Sequence, residues 1–152
     1  MNKILFYLLV FLLIILSCYS TKNKTSTLQG IEGYVYFISG NQMPSPGKKP
    51  KPPKGIKTIL YIYRLTNIAQ VKRQGQSSYY SAIQTKLIKT TQSDSTGYFS
   101  VQLEPGKYSL FTKTGDFFYA NLFDKDNNIA PAEVLINKMT KLEIRIDHDA
   151  TY

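Results

Sequence analysis

The chain has 152 residues, 43% of them hydrophobic, and carries 19 Lys and Arg against 10 Asp and Glu, a formal net charge of +9. That length suits one domain, and the twelve tyrosines and eight phenylalanines exclude a disordered chain. A single cysteine excludes an internal disulfide, and one histidine with one cysteine excludes a zinc site built mainly from those two residue types.

The N-terminus is predicted to be a signal peptide, residues 1–17. Lys3 precedes an apolar run over residues 4–16, which is shorter than the ~20 residues that a membrane-spanning helix needs. The run leads into a motif that resembles the lipobox of bacterial lipoproteins, Ile15-Leu16-Ser17-Cys18. The resemblance implies cleavage just before Cys18 and a covalent lipid, with palmitate-like acyl chains, on its thiol. The alternative is an ordinary signal peptide in which the cysteine stands by chance.

Residues 18–29 are predicted to form the acylated cysteine and a flexible tether, because they are rich in Ser, Thr, Lys and Asn. Acyl chains would hold the mature protein on a membrane without spanning it. Tyr19 follows the cysteine, where Asp would favour retention at the inner membrane, so the outer membrane is expected. The acidic residues that resemble a surface-export signal in some Bacteroidota lipoproteins are absent there, so we expect a periplasm-facing anchor.

The rest of the chain is predicted to be all-β, because alternation with a period of two recurs between turn residues. In the first strand, residues 31–37, Tyr34 and Tyr36 share one face and the apolar residues share the other. Residues 58–65 are predicted to be a second strand, so apolar that both of its faces are expected to be covered. Four further strands are predicted over residues 82–90, 98–103, 107–113 and 142–146. Six or seven short strands favour one β-sandwich or a small barrel.

Two consecutive turn-and-strand motifs resemble a known family. The motifs are Ser93-Asp94-x-x-Gly97-Tyr98-Phe99 and Leu103-x-Pro105-Gly106-x-Tyr108-x-Leu110. They are similar to the signature of carboxypeptidase regulatory-like domains. The resemblance implies a seven-stranded, transthyretin-like (prealbumin-like) Greek-key sandwich over residues 30–147, with a C-terminal tail at 148–152. Because related sandwiches serve as stalks, adhesin repeats or envelope-machine subunits, the resemblance says little about function.

The loop at residues 40–57 is longer than the resemblance implies. It holds five of the seven prolines and five lysines, Lys48, Lys49, Lys51, Lys54 and Lys57. Proline favours extended backbone, and like charges stiffen it, so we predict a basic arm at one end of the sandwich. It is either a solvated insertion or a contact for anionic headgroups, lipopolysaccharide phosphates or an acidic protein. Nucleic acid is not an expected partner, since the signal peptide exports the chain.

Four tyrosines form a candidate aromatic patch. Tyr34 and Tyr36 share a face of the first predicted strand, and Tyr61 and Tyr63 share a face of the second. If those faces adjoin, the rings can stack on a sugar or fill a protein interface. The alternative is packing between neighbouring strands.

No catalytic residue and no metal site is predicted. His148 is the only histidine, and we expect it to be a solvated tail residue between two aspartates. Residues 124–128 begin like a calcium loop, but Ile129 and Leu135 stand where an EF-hand needs Gly and Glu. A turn is therefore expected there, with a weak calcium site as the alternative.

The sequence predicts a non-enzymatic, membrane-tethered interaction or scaffold lipoprotein, working with other proteins in a larger assembly of the cell envelope. The alternative is a periplasmic or surface lipoprotein that binds a glycan or a peptide through its tyrosines or strand-end loops. An enzyme is the third and least favoured hypothesis, because the histidine count excludes the metal and dioxygenase sites found on related sandwiches.

Overall fold

The computed structural model describes residues 28–44, 47 and 52–152. They form a β-sandwich of two sheets. The strands are β1 (Gly30–Asn41), β2 (Lys54–Gly55), β3 (Ile59–Arg64), β4 (Val71–Arg73), β5 (Tyr79–Ile83), β6 (Leu87–Gln92), β7 (Tyr98–Gln102), β8 (Gly106–Thr114), β9 (Phe117–Tyr119), β10 (Pro131–Val134) and β11 (Met139–Thr151), with a 3₁₀ turn at Ile68–Gln70. Across the described ranges, no helix has the length and apolar character needed to cross a membrane.

The first sheet is built around β1. On one side β1 pairs in parallel with β11, from Gly30 opposite Met139 to Asn41 opposite Thr151. On its other side it pairs antiparallel with β7 along its first half and with β2 further on. The register with β11 shifts after Phe37, which places a β-bulge at residues 147–148 of β11.

The second sheet has the order β4-β5-β9-β8-β3-β6, and β10 also pairs with β8. Its pairs are antiparallel. Because β5 and β6 lie in different parts of this sheet, the single strand predicted over residues 82–90 is wrong. The described residues contain eleven strands, more than the six or seven that the alternation predicted, since several pairings involve only two to four residues.

The core confirms the predicted alternation. Leu60 and Ile62 of β3 join Phe99, Val101 and Leu103 in a cluster between the two sheets. A second apolar cluster covers the opposite face of the second sheet and contains Tyr63, Tyr80, Phe111, Ala120 and Ile129. Both faces of β3 are therefore covered, as its continuous apolar run predicts.

The C-terminal tail predicted at residues 148–152 is mostly strand. β11 continues to Thr151 and pairs with β1 as far as Asn41. The bulge interrupts the alternation just where Asp147, His148 and Asp149 stand together, so the sequence pattern of the strand is lost before the strand ends.

The direction of β1 defines two ends of the molecule. We call the end that holds Gly30 and the turn at residues 135–138 the tether end, and the end that holds Asn41 the loop end. With 12 residues, β1 spans about 36 Å between them. β8 runs the same way, because Gly106 pairs with Val134 next to the tether end and Thr114 lies at the other end of the strand.

Candidate functional site

Three tyrosines form an aromatic surface on the outer face of the first sheet. The Tyr34 and Tyr36 rings stack, with centroids 5.9 Å apart and planes 11° apart. Tyr98 lies opposite Tyr34 in the β1–β7 pair, and its ring meets Tyr34 edge to face at 5.5 Å. We call Tyr34, Tyr36 and Tyr98 the tyrosine face. Because Ile31 and Val35 of β1 are buried in the core, the alternation of the strand turns Tyr34 and Tyr36 to the outer face. Tyr34 and Tyr98 are about 40% exposed.

Charged side chains border the tyrosine face. Glu32 accepts a hydrogen bond from the Tyr98 hydroxyl at 3.3 Å and pairs with Lys141 of β11 at 3.6 Å. Glu143 pairs with Arg145 at 3.6 Å, also on β11. A shallow groove lies between Tyr34 and Tyr98 on one side and Lys141 and Glu143 on the other. Flat aromatic rings beside exposed donors and acceptors suit a sugar ring or a polar protein surface.

The predicted four-tyrosine patch is wrong, because Tyr61 and Tyr63 lie in the second sheet. Both rings meet Phe118 edge to face, at 5.3 and 5.8 Å. Tyr63 also packs against Phe111 and is only 8% exposed, and burial raises its pKa. Lys113 stands over the Tyr61 and Phe118 rings. These two tyrosines are packing residues of the second apolar cluster.

Tyr98 is the member of the tyrosine face that the sequence analysis missed. The alternation of residues 98–103 indicates that Tyr98 points away from the core, since Phe99 and Val101 point into it. Its position opposite Tyr34 depends on the pairing of strands 64 positions apart, which no local pattern in the sequence encodes.

The basic loop leaves the sandwich at the loop end. Lys48, Lys49 and Lys51 lie outside the described residues. Lys54 and Lys57 are exposed, and Lys54 begins β2, which pairs with Phe37 near the end of β1. Asn41, near the start of the loop, is therefore about 36 Å from Gly30 along β1, whereas Lys54 is about 23 Å from it.

Cys18 also lies outside the described residues. The described chain starts at Leu28, ten positions later, and enters the sandwich at the tether end. Gln29 fixes this point, because its side-chain amide donates to the Leu103 carbonyl at 2.9 Å and its carbonyl accepts from the Leu103 amide at 3.2 Å.

His148 is not a solvated tail residue, and that expectation is wrong. Its side chain is 15% exposed and sits on the β11 bulge. The imidazole packs against Phe37, Tyr79 and Tyr119, with centroids 5.5, 6.0 and 5.5 Å away. Its Nδ1 lies 2.7 Å from Asp149 Oδ1. These contacts make His148 part of an aromatic cluster that closes the sandwich near β5 and β9.

The segment at residues 124–128 forms a turn closed by its own side chains, as expected. Asp124 Oδ1 accepts from the amides of Asp126 and Asn128 at 2.9 and 2.8 Å, and its Oδ2 accepts from the Asn128 side chain at 2.9 Å. The Asn128 bonds are the main reason that the pKa of Asp124 is lowered. In the part of the chain that the structure describes, no cluster of three His, Cys, Asp or Glu is placed to hold a metal ion.

Comparison of the chain with protein family models, characterised proteins and solved structures finds no match. The resemblances to lipoproteins and to carboxypeptidase regulatory-like domains therefore stay predictions.

Proposed function

We propose that this protein is a lipid-anchored, non-enzymatic interaction module of the cell envelope. The observation that carries the proposal is the separation of the two ends. The chain enters the sandwich at the tether end, ten positions after Cys18, and the basic loop leaves from the loop end. A lipid on Cys18 would hold one end near the membrane and present the other end to a partner.

The proposal includes the anchor and the fold family. A covalent lipid on Cys18 would place the protein at the outer membrane, facing the periplasm. The transthyretin-like relationship is supported by the turn at Asp94–Gly97, which precedes β7, and by Pro105-Gly106, which precedes β8, as the resemblance implies. It is also supported by the pairing of the first and last strands in one sheet.

The proposed partner is another envelope protein with an acidic surface, bound by the basic loop. The loop carries five lysines and only positive charge over residues 43–57. The described start of the loop, after Asn41, lies at the end opposite the tether and so away from the membrane that would hold Cys18. A contact with anionic headgroups or lipopolysaccharide of that same membrane would require the sandwich to turn over on its tether.

Two measurements test this proposal. Cys18→Ala should move the protein from the membrane fraction to the soluble fraction, and retention in the membrane would contradict the anchor. Cross-linking and affinity purification of the acylated protein should then recover envelope proteins in fixed ratio. Exchange of the five loop lysines for Gln should abolish recovery of these partner proteins. The same exchange at five exposed lysines elsewhere should leave their recovery unchanged; those lysines are Lys72, Lys86, Lys89, Lys107 and Lys125.

A second candidate function is binding of a glycan or a peptide on the tyrosine face. The specific observation in its favour is the exposed Tyr34, which stacks on the half-buried Tyr36 and has the exposed Tyr98 beside it. Ser substitution of Tyr34 and Tyr98 together should abolish retention on a glycan or peptide array. The control is Tyr61→Ser, which changes a half-buried tyrosine of the other sheet. Equal retention by both variants would contradict this function.

A further inference from the structure

Three aliphatic side chains are exposed together at the tether end. Ile136 is 73% exposed, Leu28 is 69% exposed and Leu135 is 47% exposed. We call these three residues the apolar cap. Ile136 and Leu28 are the most exposed large aliphatic residues in the described ranges. Isolated exposed aliphatics are ordinary on a protein surface, but a group of three at one end requires an explanation.

Hydrogen bonds hold the two parts of the cap together. The Asn137 amide donates to Gln29 Oε1 at 2.9 Å, and the Gly30 amide donates to the Lys138 carbonyl at 3.1 Å. The turn itself is closed by the Lys138 amide, which donates to the Leu135 carbonyl at 3.3 Å. The turn that carries two cap residues is therefore fixed to the segment that carries the third.

The position of the cap in the chain indicates that it lies close to the membrane that would hold the Cys18 lipid. Ten positions separate Cys18 from Leu28, and a fully extended chain of that length reaches at most about 35 Å. The cap is the first part of the sandwich that the chain meets after the cysteine. A lipid on Cys18 would thus keep the cap at a high local concentration beside the bilayer surface.

Charges of both signs border the cap. Lys138 ends the turn, and Lys107 of β8 lies opposite Glu133 of β10, with Glu104 in the adjoining turn. Lys89 is also close, because its ammonium group donates to the carbonyl of Gln102, which pairs with Gly30. The three cap side chains are themselves uncharged, so their insertion would depend on apolar contact, whereas a contact made by the basic loop would depend on salt.

We propose that the apolar cap inserts into the boundary between headgroups and acyl chains of the membrane that holds the Cys18 lipid. This inference rests on the proposed lipid anchor. Insertion makes a second contact with the bilayer, so the sandwich stands on its tether end. The basic loop and the tyrosine face are then held away from the membrane surface in a defined orientation.

The test uses the full acylated protein in vesicles of phosphatidylethanolamine and phosphatidylglycerol. Ile136→Cys carries an environment-sensitive nitrobenzoxadiazole label, and Asp116→Cys carries the same label as a control. Asp116 is exposed in the turn between β8 and β9, at the opposite end of β8. We expect a blue-shifted emission at position 136 that nitroxide lipids quench and that about 0.5 M NaCl leaves unchanged. The label at position 116 should keep the emission of a water-exposed probe, and nitroxide lipids should not quench it.

The outcomes separate the two proposals. If the protein does not float with the vesicles, the anchor fails and this inference fails with it. If it floats and position 136 reports water, only the cap insertion is overturned. A blue shift that nitroxide lipids do not quench would mean that a protein, such as a second copy, covers the cap, and would also overturn the membrane contact.

A variant without labels gives an independent check. Leu135→Ser with Ile136→Ser should leave the thermal unfolding temperature nearly unchanged, because both side chains are exposed. In vesicles it should become more accessible to protease at the turn than the parent protein. Equal protection of the two proteins would contradict insertion.

Discussion

Tyr119 of β9 donates its hydroxyl to Asp147 Oδ1 of β11 at 2.5 Å, and this bond joins the two sheets. The Asn121 side chain donates to the same oxygen at 2.5 Å, and the Tyr152 hydroxyl donates to Oδ2 at 3.0 Å. Burial raises the pKa of Tyr119 well above its usual range, and the bond to Asp147 adds to the shift. The phenol is thus kept protonated as a donor. Three donors hold the carboxylate on the bulge.

Removal of the Tyr119 hydroxyl should destabilise the protein. Tyr119→Phe deletes one bond to a carboxylate that keeps two other donors, so we expect a loss of about 1.5 kcal/mol in the free energy of unfolding. Tyr79→Phe is the matched control. Its ring lies 5.3 Å from that of Tyr119, and its hydroxyl is not one of the Asp147 donors. Urea unfolding measures both variants, and equal losses would contradict the role of the Asp147 bond.

The same phenol predicts a loss of stability in alkali. An unfolded tyrosine ionises near pH 10, whereas folding raises the pKa of Tyr119. The unfolded chain therefore releases this proton first, and stability that is present below about pH 10 falls as the pH rises further. Urea midpoints between about pH 8 and pH 11 should fall less steeply in Tyr119→Phe. Some slope should remain, because burial also raises the pKa of Tyr80. Identical slopes would refute the prediction.

Local alternation predicted which residues face the core. Phe99, Val101 and Leu103 all enter the cluster between the sheets, because a strand turns successive side chains to opposite faces wherever it lies. The same rule correctly placed Tyr34 and Tyr36 together on the outer face.

Alternation could not predict which strands become neighbours. Tyr61 and Tyr63 share a face, as predicted, but β3 joins β8 and β6 while β1 joins β7 and β11. That choice depends on pairings far apart in sequence. The bulge at residues 147–148 could not be predicted either, because it interrupts the period-two alternation from which strands are recognised in the sequence. The tyrosine face was therefore half predicted: its β1 tyrosines followed from the local pattern, whereas the place of Tyr98, like that of the partly buried His148, depends on strand pairing.

Asp94 should contribute to stability in a way that acid removes. Its Oδ1 accepts from the Thr96 hydroxyl at 2.6 Å and from the amides of Thr96 and Tyr98 at 2.8 and 3.0 Å. These bonds lower the pKa of Asp94, and the bond from the Thr96 hydroxyl has the largest effect. A lowered carboxyl pKa gives stability that is present above the unfolded value near 3.8 and is lost as the pH falls through the folded value.

Asp94→Asn tests that contribution. It should lower the urea midpoint at neutral pH, and its difference from the parent should shrink below about pH 4, because the carboxyl of the unfolded parent chain takes up a proton there before the folded one does. Asp116→Asn is the control, since Asp116 is exposed in the β8–β9 turn. A difference that stays constant between neutral pH and about pH 3 would show that the charge of Asp94 does not matter.

A side chain at Gly97 should destabilise the protein both through the backbone angle and through a clash with β1. Its φ is +88°, and a Cβ there would lie 2.3 Å from the Val35 carbonyl oxygen of β1. Gly115 separates the two effects, because its φ is +57° and a Cβ there would meet nothing within 4 Å. Gly115→Ala should therefore cost only the strain of a left-handed residue, about 1 kcal/mol. Gly97→Ala should cost about 3 kcal/mol or more, because β1 must also move away from the turn. Urea unfolding of both variants measures the difference, and similar losses would mean that the contact between this turn and Val35 yields without cost.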